Sequence, residues 1–232
     1  MRTPAENAVW YLRQHRLFDG ATDDVVRGCY HLFVQRTYPV KAVLFEQGDA
    51  GRVVYLVKRG KVRIGRMMSD GKEHTLAILG AGDIFGEEVV FNEGVTRTTQ
   101  ATVIEEAYLC LSRMQDLFSI LSRHPVIAMN IAKYLQEQRD VAIAAAEDLA
   151  YLKVPDRIMR LFERLGAEHG VPDELGTRIQ LRLTHAEIAS LVSSTRETVS
   201  VEMGKLVRAG KILSSDGYVV PASEKMSRVY NR

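Results

Sequence analysis

From Tyr38 to Leu111 apolar and polar residues alternate in short runs interrupted by glycines. The runs Val40 to Phe45, Val53 to Val57, Val62 to Ile64, Thr75 to Leu79 and Gln100 to Leu111 are rich in β-branched residues. Between them stand Gln47-Gly48-Asp49, Lys58-Arg59-Gly60-Lys61, Ser69-Asp70-Gly71-Lys72 and Gly80-Ala81-Gly82-Asp83. Short strands punctuated by turn signals at about ten-residue intervals predict an antiparallel sandwich or roll. Asp70-Gly71 adds a type I′ hairpin signal, because both residues take positive φ at little cost. The first thirty or so residues look helical, with Trp10, Leu12, Leu17 and Phe18 as anchors onto the roll.

The period changes after Pro125. No glycine or proline occurs from Val126 to Val154. Ile131, Leu135, Gln138, Ala142, Ala145, Leu149 and Leu152 recur at alternating spacings of four and three, the a/d pattern that turns one narrow stripe toward a partner helix. An ordinary amphipathic helix packed on its own domain is the competing reading. The length, the small Ala142 and Ala145, and one polar residue in the stripe (Gln138) favour a homodimer seam, where a single polar position fixes register.

A second unit follows Val154-Pro155. Asp156 to Glu168 reads as a helix with Ile158, Leu161, Phe162 and Leu165 inward. Gly170-Val171-Pro172 reads as a loop, and Arg178 to Leu183 alternates strictly, as a half-exposed strand does. Thr184-His185-Ala186-Glu187 is a capping box opening a short helix whose apolar face is Ile188, Leu191 and Val192. Ser193-Ser194 makes a tight turn, and a second helix runs from about Thr195 to Arg208 with Val199, Met203, Leu206 and Val207 inward. Two short helices joined this closely predict a helix-turn-helix. Arg196, Glu197 and Ser200 lie opposite the apolar face, where a recognition helix presents polar groups to base edges. Arginine reaches O6 and N7 of guanine together, and glutamate accepts from N4 of cytosine. Against this stands a blander reading, in which Glu197 completes a box with Ser194 and Arg196 is a solvated charge. Lys211 to Ser214 and Tyr218 to Pro221 flank Ser215-Asp216-Gly217 as a hairpin, making a winged helix whose tip and Lys211 touch phosphates.

The densest polar cluster of the strand-rich half is Gly82-Asp83-Ile84-Phe85-Gly86-Glu87-Glu88, with Phe91-Asn92-Glu93-Gly94 and Thr96-Arg97-Thr98-Thr99-Gln100-Ala101. Glycines let backbone amides approach an anion, and a short helix starting near Gly86 would aim its positive end at a phosphate. In that reading Arg97 neutralises the phosphate, Thr98 donates to it, and Glu87 accepts from a sugar hydroxyl. A bulged turn carrying a surface ion pair between Glu87 and Arg97 is the alternative.

Composition narrows the classes. The chain has 232 residues, 46% of them hydrophobic, enough for packed cores in one large or two modest domains. No stretch is long and apolar enough for a membrane span, and the N-terminus carries no signal-peptide pattern. Two cysteines, Cys29 and Cys110, exclude a disulfide scaffold, a zinc ribbon and a four-cysteine cluster, and a reducing cytoplasm is the simplest location. Residues 153–232 hold 13 basic against 10 acidic residues, whereas residues 1–152 hold 18 against 19. The basic excess therefore sits where nucleic acid would bind, although a solvated basic surface explains it equally well.

Gly48, Gly60, Gly71, Gly82-Asp83, Phe85-Gly86-Glu87 and Arg97-Thr98, followed by Leu149-Ala150-Tyr151-Leu152 and Thr195-Arg196-Glu197-Thr198-Val199, closely resemble the cyclic-AMP receptor protein/FNR superfamily of bacterial transcription regulators. The likeness spans about residues 25–222. It implies an α+β chain: a jelly-roll-like cyclic-nucleotide-binding β-roll over residues 1–123, a dimerisation helix over 124–153 and a winged helix-turn-helix over 154–232. Family roles fall on Glu87 for the ribose 2′-hydroxyl, on Gly86, Arg97 and Thr98 for the cyclic phosphate, and on Arg196 and Glu197 for base readout. Glu88, Ala142 and Ile143 complete the effector set, and Thr184, Ser194, Thr195, Thr198, Ser200, Val201 and Lys211 complete the DNA set. Implied partners are palindromic double-stranded DNA, a second copy of the chain and RNA polymerase. The implied effector is cyclic AMP, with no covalent cofactor, metal or catalytic residue.

Two positions depart from the pattern. In the receptor that gives the family its name, adjacent hydroxyl residues on the dimerisation helix hold the adenine. The ungapped alignment from Gly48 to Leu152 places Ala142 and Ile143 there, and neither donates a side-chain hydrogen bond. Val201 stands where close relatives usually carry a basic side chain. Another nucleotide, a haem or redox signal, or effector-independent DNA binding are the alternatives on the same scaffold. No HExxH, GxSxG or Walker A motif supports an enzyme.

Overall fold

A computed structural model describes residues 4–221 apart from 70, 72, 92, 93, 95, 182, 215 and 216, with backbone alone at 4–8 and 91. The chain divides into two units between Asp140 and Val141.

In the first unit, α1 (Pro4–Arg13) and α2 (Asp23–Cys29) precede β1 (Phe33–Tyr38), β2 (Val43–Phe45), β3 (Val53–Met67), β4 (Glu73–Leu79) and β5 (Ile84–Phe85). Then come α3 (Glu88–Phe91), β6 (Gln100–Arg113), α4 (Met114–Arg123) and the start of α5 (Pro125–Tyr151). The strands form one antiparallel sheet in the order β1-β6-β3-β4, with β2 added to β6 and β5 to β3. Alternation along β3 builds two cores. Val54 and Leu56 face the helices, packing with Leu17, Phe18, Leu117, Ile127 and Tyr134. Tyr55 and Val57 face the roll interior with Phe45, Phe85, Val103 and Leu109.

Several expectations change. Leu12, Leu17 and Phe18 are buried anchors, but Trp10 is 41% exposed and anchors nothing deep in the core. The turn expected at Lys58 to Lys61 lies inside β3, where the register against β6 shifts around Arg59 and Lys61. Gly60 makes this bulge possible: it has φ of +83°, and a Cβ there would stand 2.1 Å from the Glu106 carbonyl oxygen. β1 and α4 carry no clear sequence signal, and both are present. Asp70 of the hairpin signal lies outside the described residues.

α5 spans 27 residues. Asn130 fastens its first half by donating from Nδ2 to the carbonyls of Leu17 and Asp19, at 3.1 and 2.7 Å. Ile131 is buried in the unit's own core and Leu135 packs against it. Gln138 is half-buried, every residue over 139–147 is exposed, and Leu149 is 52% exposed. Leu152 is half-buried just past the helix end.

In the second unit, α6 (Val154–His169) is followed by β7 (Gly170–Asp173), β8 (Gly176–Ile179), α7 (His185–Leu191), α8 (Arg196–Arg208), β9 (Leu213–Ser214) and β10 (Tyr218–Pro221). The strands pair in the order β7-β8-β10-β9. Ile158, Leu161, Phe162 and Leu165 are buried as the pattern predicts. The Phe162 ring meets Tyr218 edge-on at 5.0 Å, which fixes the wing to α6. Gly170-Val171-Pro172, expected as a loop, is strand paired with β8. The strand expected through Leu183 ends at Ile179, although Leu181 and Leu183 keep the alternation of burial; Arg182 lies outside the described residues. Val207, expected inward, is 36% exposed.

Candidate functional site

The first candidate site is built around Arg97. Its backbone is pinned from both sides: the Arg97 amide donates to the Asp49 carbonyl and its carbonyl accepts from the Gly48 amide, each at 2.8 Å. The side chain runs inward and is only 2% exposed. Nη1 donates to the Gly86 carbonyl at 3.1 Å and to the Glu88 carboxylate at 2.7 Å, and Nη2 donates to the Val53 carbonyl. The guanidinium lies 4.2 Å from the centre of the Phe45 ring, which Phe85 and Tyr55 support from behind. Gly86 has φ of +76°, and a Cβ there would meet Arg97 Nη1 at 2.7 Å and the Val53 carbonyl at 3.0 Å. Only glycine lets the turn between β5 and α3 close over the guanidinium.

Gly86, Glu87, Glu88 and Arg97 are thus brought together, and Thr98 is exposed one residue on, its carbonyl accepting from Arg66 Nε at 3.1 Å. The ion pair differs from the one weighed from sequence. Arg97 pairs with Glu88, not Glu87, and the guanidinium is buried. Burial pushes the Glu87 carboxyl up to about 7, its own backbone amide pulls against the shift, Glu88 adds to it and Arg97 opposes it. Asn92 and Glu93 of the polar cluster lie outside the described residues. Ala142 and Ile143 belong to the second unit and are exposed on α5. A cavity of about 240 Å³ in that unit, between α5, α6 and the turn before α8, contains neither of them.

The second candidate site is the helix pair α7/α8. Thr184 caps α7 with both bonds of the capping box: its hydroxyl accepts from the Glu187 amide at 3.2 Å, and its amide donates to the Glu187 carboxylate at 2.8 Å. Ser193 turns the chain with φ of +50°, a conformation glycine adopts more cheaply, and the Ser194 amide closes the turn on the Ala189 carbonyl at 2.9 Å. Thr195 caps α8 by accepting from the Thr198 amide at 3.2 Å, and the two hydroxyls lie 2.9 Å apart. The cap is therefore Thr195 with Thr198, and Glu197 is left out of it.

Val199, Met203 and Leu206 are buried, and the opposite face exposes Arg196, Glu197, Ser200 and Val201. His185, which has no role in the sequence beyond the capping-box run, also belongs to this site. Its Nδ1 lies 2.9 Å from Ser200 Oγ and joins the start of α7 to the outer face of α8. Lys211 is exposed directly after α8. The wing strands β9 and β10 pair as expected, while Ser215 and Asp216 at the tip lie outside the described residues. Among the described residues no three His, Cys, Asp or Glu side chains group as metal ligands, and no helix is long and apolar enough to cross a membrane.

Comparison with known proteins separates the same two sites. Residues 35–124 match the cyclic nucleotide-binding domain and residues 156–229 the Crp-like helix-turn-helix domain. The chain is 32% identical over 203 residues to the cyclic AMP receptor protein of Thermus thermophilus, covering 88% of this chain and 90% of that one. It is 29% identical over 213 residues to a CRP-like cAMP-activated global transcriptional regulator of Mycobacterium tuberculosis, covering 91% and 95%. Among solved structures, the c-di-GMP responsive global regulator CLP of Xanthomonas campestris superposes with a TM-score of 0.75 at 26% identity, covering 87% of this chain and all of that one. A β-roll closing glycine over a buried arginine, joined in one chain to a capped helix-turn-helix, agrees with these matches: the chain belongs to the cyclic-AMP receptor protein/FNR family of transcription regulators.

Proposed function

We propose that the chain is a homodimeric, sequence-specific DNA-binding regulator gated by a cyclic nucleotide, with cyclic AMP as the first candidate. The observation that carries the effector half is Arg97, a buried guanidinium capped by the left-handed Gly86. In this reading Arg97, the Gly86 turn and Thr98 hold the cyclic phosphate, and Glu87 accepts from the ribose 2′-hydroxyl. Arg196 and Glu197 read bases, while Thr184, Ser194, Lys211 and the wing position the protein on phosphates.

The seam of α5 supports a dimer. Residues 139–147 are all exposed, and a helix segment with so little of its surface packed gains little stability from tertiary contacts. A second α5 laid along Gln138, Ala142, Ala145 and Leu149 would give it that packing. Two recognition helices held this way reach half-sites about one helical turn, ~34 Å, apart on a palindromic duplex. RNA polymerase is the downstream partner the family implies, the cytoplasm is the compartment, and no catalytic step is proposed.

A cyclic dinucleotide is the second reading. It is favoured by Ala142 and Ile143, which bear no side-chain donor for adenine, and by the Xanthomonas relative described as responsive to c-di-GMP. Calorimetric titration with cyclic AMP, cyclic GMP and c-di-GMP tests the effector. The reading predicts saturable heat with one of them, and none from any would remove the effector half.

A further inference from the structure

We propose that Glu88 is an internal competitor in the nucleotide pocket: its carboxylate stands on Arg97 in place of a ligand phosphate, and a cyclic nucleotide binds by displacing it. The inference rests on the reading of the first unit as a cyclic-nucleotide receptor.

Among the described residues the guanidinium has four partners, and they differ in what holds them. The Gly86 and Val53 carbonyls are backbone, fixed by the β5–α3 turn and by β3. The Phe45 ring is buried among Tyr55 and Phe85. Glu88 is neither backbone nor a packed ring but a side chain 35% exposed on the first residue of a one-turn helix, and its carboxylate alone among these four carries a full negative charge. Glu88 belongs to no strand, so its displacement breaks no strand pairing.

Charge then dictates exchange. A phosphate added to Arg97 while Glu88 stayed at 2.7 Å would bring two anions to one guanidinium, inside a pocket that already holds Glu87 toward its neutral form. Replacing one anion by the other leaves the pocket's charge unchanged. The incoming group must therefore outcompete a carboxylate that is tethered, and hence at high effective concentration. A cyclic phosphodiester with a ribose hydroxyl for Glu87 meets that demand, because it engages two sites at once. A simple anion that offers only charge does not.

The test is calorimetric titration of the full chain with cyclic AMP and cyclic GMP, in wild type, Glu88→Gln and Glu88→Leu, with thermal melts to confirm folding and Arg97→Gln as the loss control. Removing the internal anion is expected to tighten the better nucleotide by about tenfold or more, and Arg97→Gln to abolish its binding. If wild type binds and the folded Glu88 variants bind equally or more weakly, Glu88 is part of the pocket's scaffold and the inference falls alone. If neither wild type nor the Glu88 variants bind either nucleotide, the inference falls together with the reading beneath it. Glu88→Leu carries the test should Glu88→Gln fail to fold.

Discussion

Tyr134 on α5 holds both backbone polar groups of Ile84 on β5: its hydroxyl donates to the Ile84 carbonyl at 2.7 Å and accepts from the Ile84 amide at 3.2 Å. Ile84 lies two residues before Gly86, so one buried phenol connects the strand that leads to the Gly86–Arg97 cluster to the helix that carries the proposed dimer seam. Arg16 covers the phenol ring and pairs with Glu137 one turn along, which holds the contact from outside. Tyr134→Phe would leave two buried backbone groups without this partner. The expected cost is about 1–3 kcal/mol of stability, read as a lowered unfolding midpoint. An unchanged midpoint would mean that Tyr134 only fills space.

The Glu87 carboxyl gives a pH dependence with a defined sign. Its folded value of about 7 lies above the ordinary 4.5, so the fold favours the protonated form. The associated stabilisation is complete below about pH 4.5 and is lost as pH rises through 7. The ionised carboxylate accepts a ribose hydroxyl more strongly than the neutral acid does, so nucleotide affinity should rise from pH 6 toward 8, by at most about tenfold per unit below 7. Glu87→Gln should weaken binding and flatten this profile. Calorimetry at the two pH values in both proteins checks it.

On the DNA side, base readers and phosphate contacts separate by their salt response. Arg196→Ala should relax selection at one base pair of the half-site, a loss of about 1–3 kcal/mol of discrimination. Lys211→Ala should weaken all sequences alike and lower the salt slope by about one. Val201, 57% exposed on the same face, offers no hydrogen bond. Val201→Arg should therefore add selectivity at one further position, as read by selection from a random duplex pool.

Gln138 is the polar member of the α5 stripe. Gln138→Leu should tighten self-association at some expense of register. Sedimentation equilibrium should show a lower dimer dissociation constant for the variant, and a monomer in both proteins would remove the seam.

Much of this was legible because the local code and the tertiary structure agree. Thr184 and Glu187 predict a cap from sequence spacing, and both bonds form. Ile158, Leu161, Phe162 and Leu165 follow the helical period and are buried together. The failures occur where one residue serves distant backbone. Gly60 reads as a turn because turns use positive φ, yet here it lets a long strand bulge against Glu106. β1 reads poorly because Gln35, Arg36 and Thr37 break the apolar alternation, and pairing with β6 overrides that composition. Adjacent Glu87 and Glu88 cannot be told apart by type, so which carboxylate meets Arg97 is decided only by the β5–α3 turn. Nothing beside His185 in the sequence points to its partner, because Ser200 lies on the next helix.

The most direct test of the whole account is the affinity of the purified chain for a palindromic duplex, measured by fluorescence anisotropy with and without cyclic AMP at one fixed salt concentration. One dimer per duplex, bound more tightly when the nucleotide is present, is the expected result. Binding as a monomer, or an affinity indifferent to cyclic AMP and to c-di-GMP alike, would contradict it.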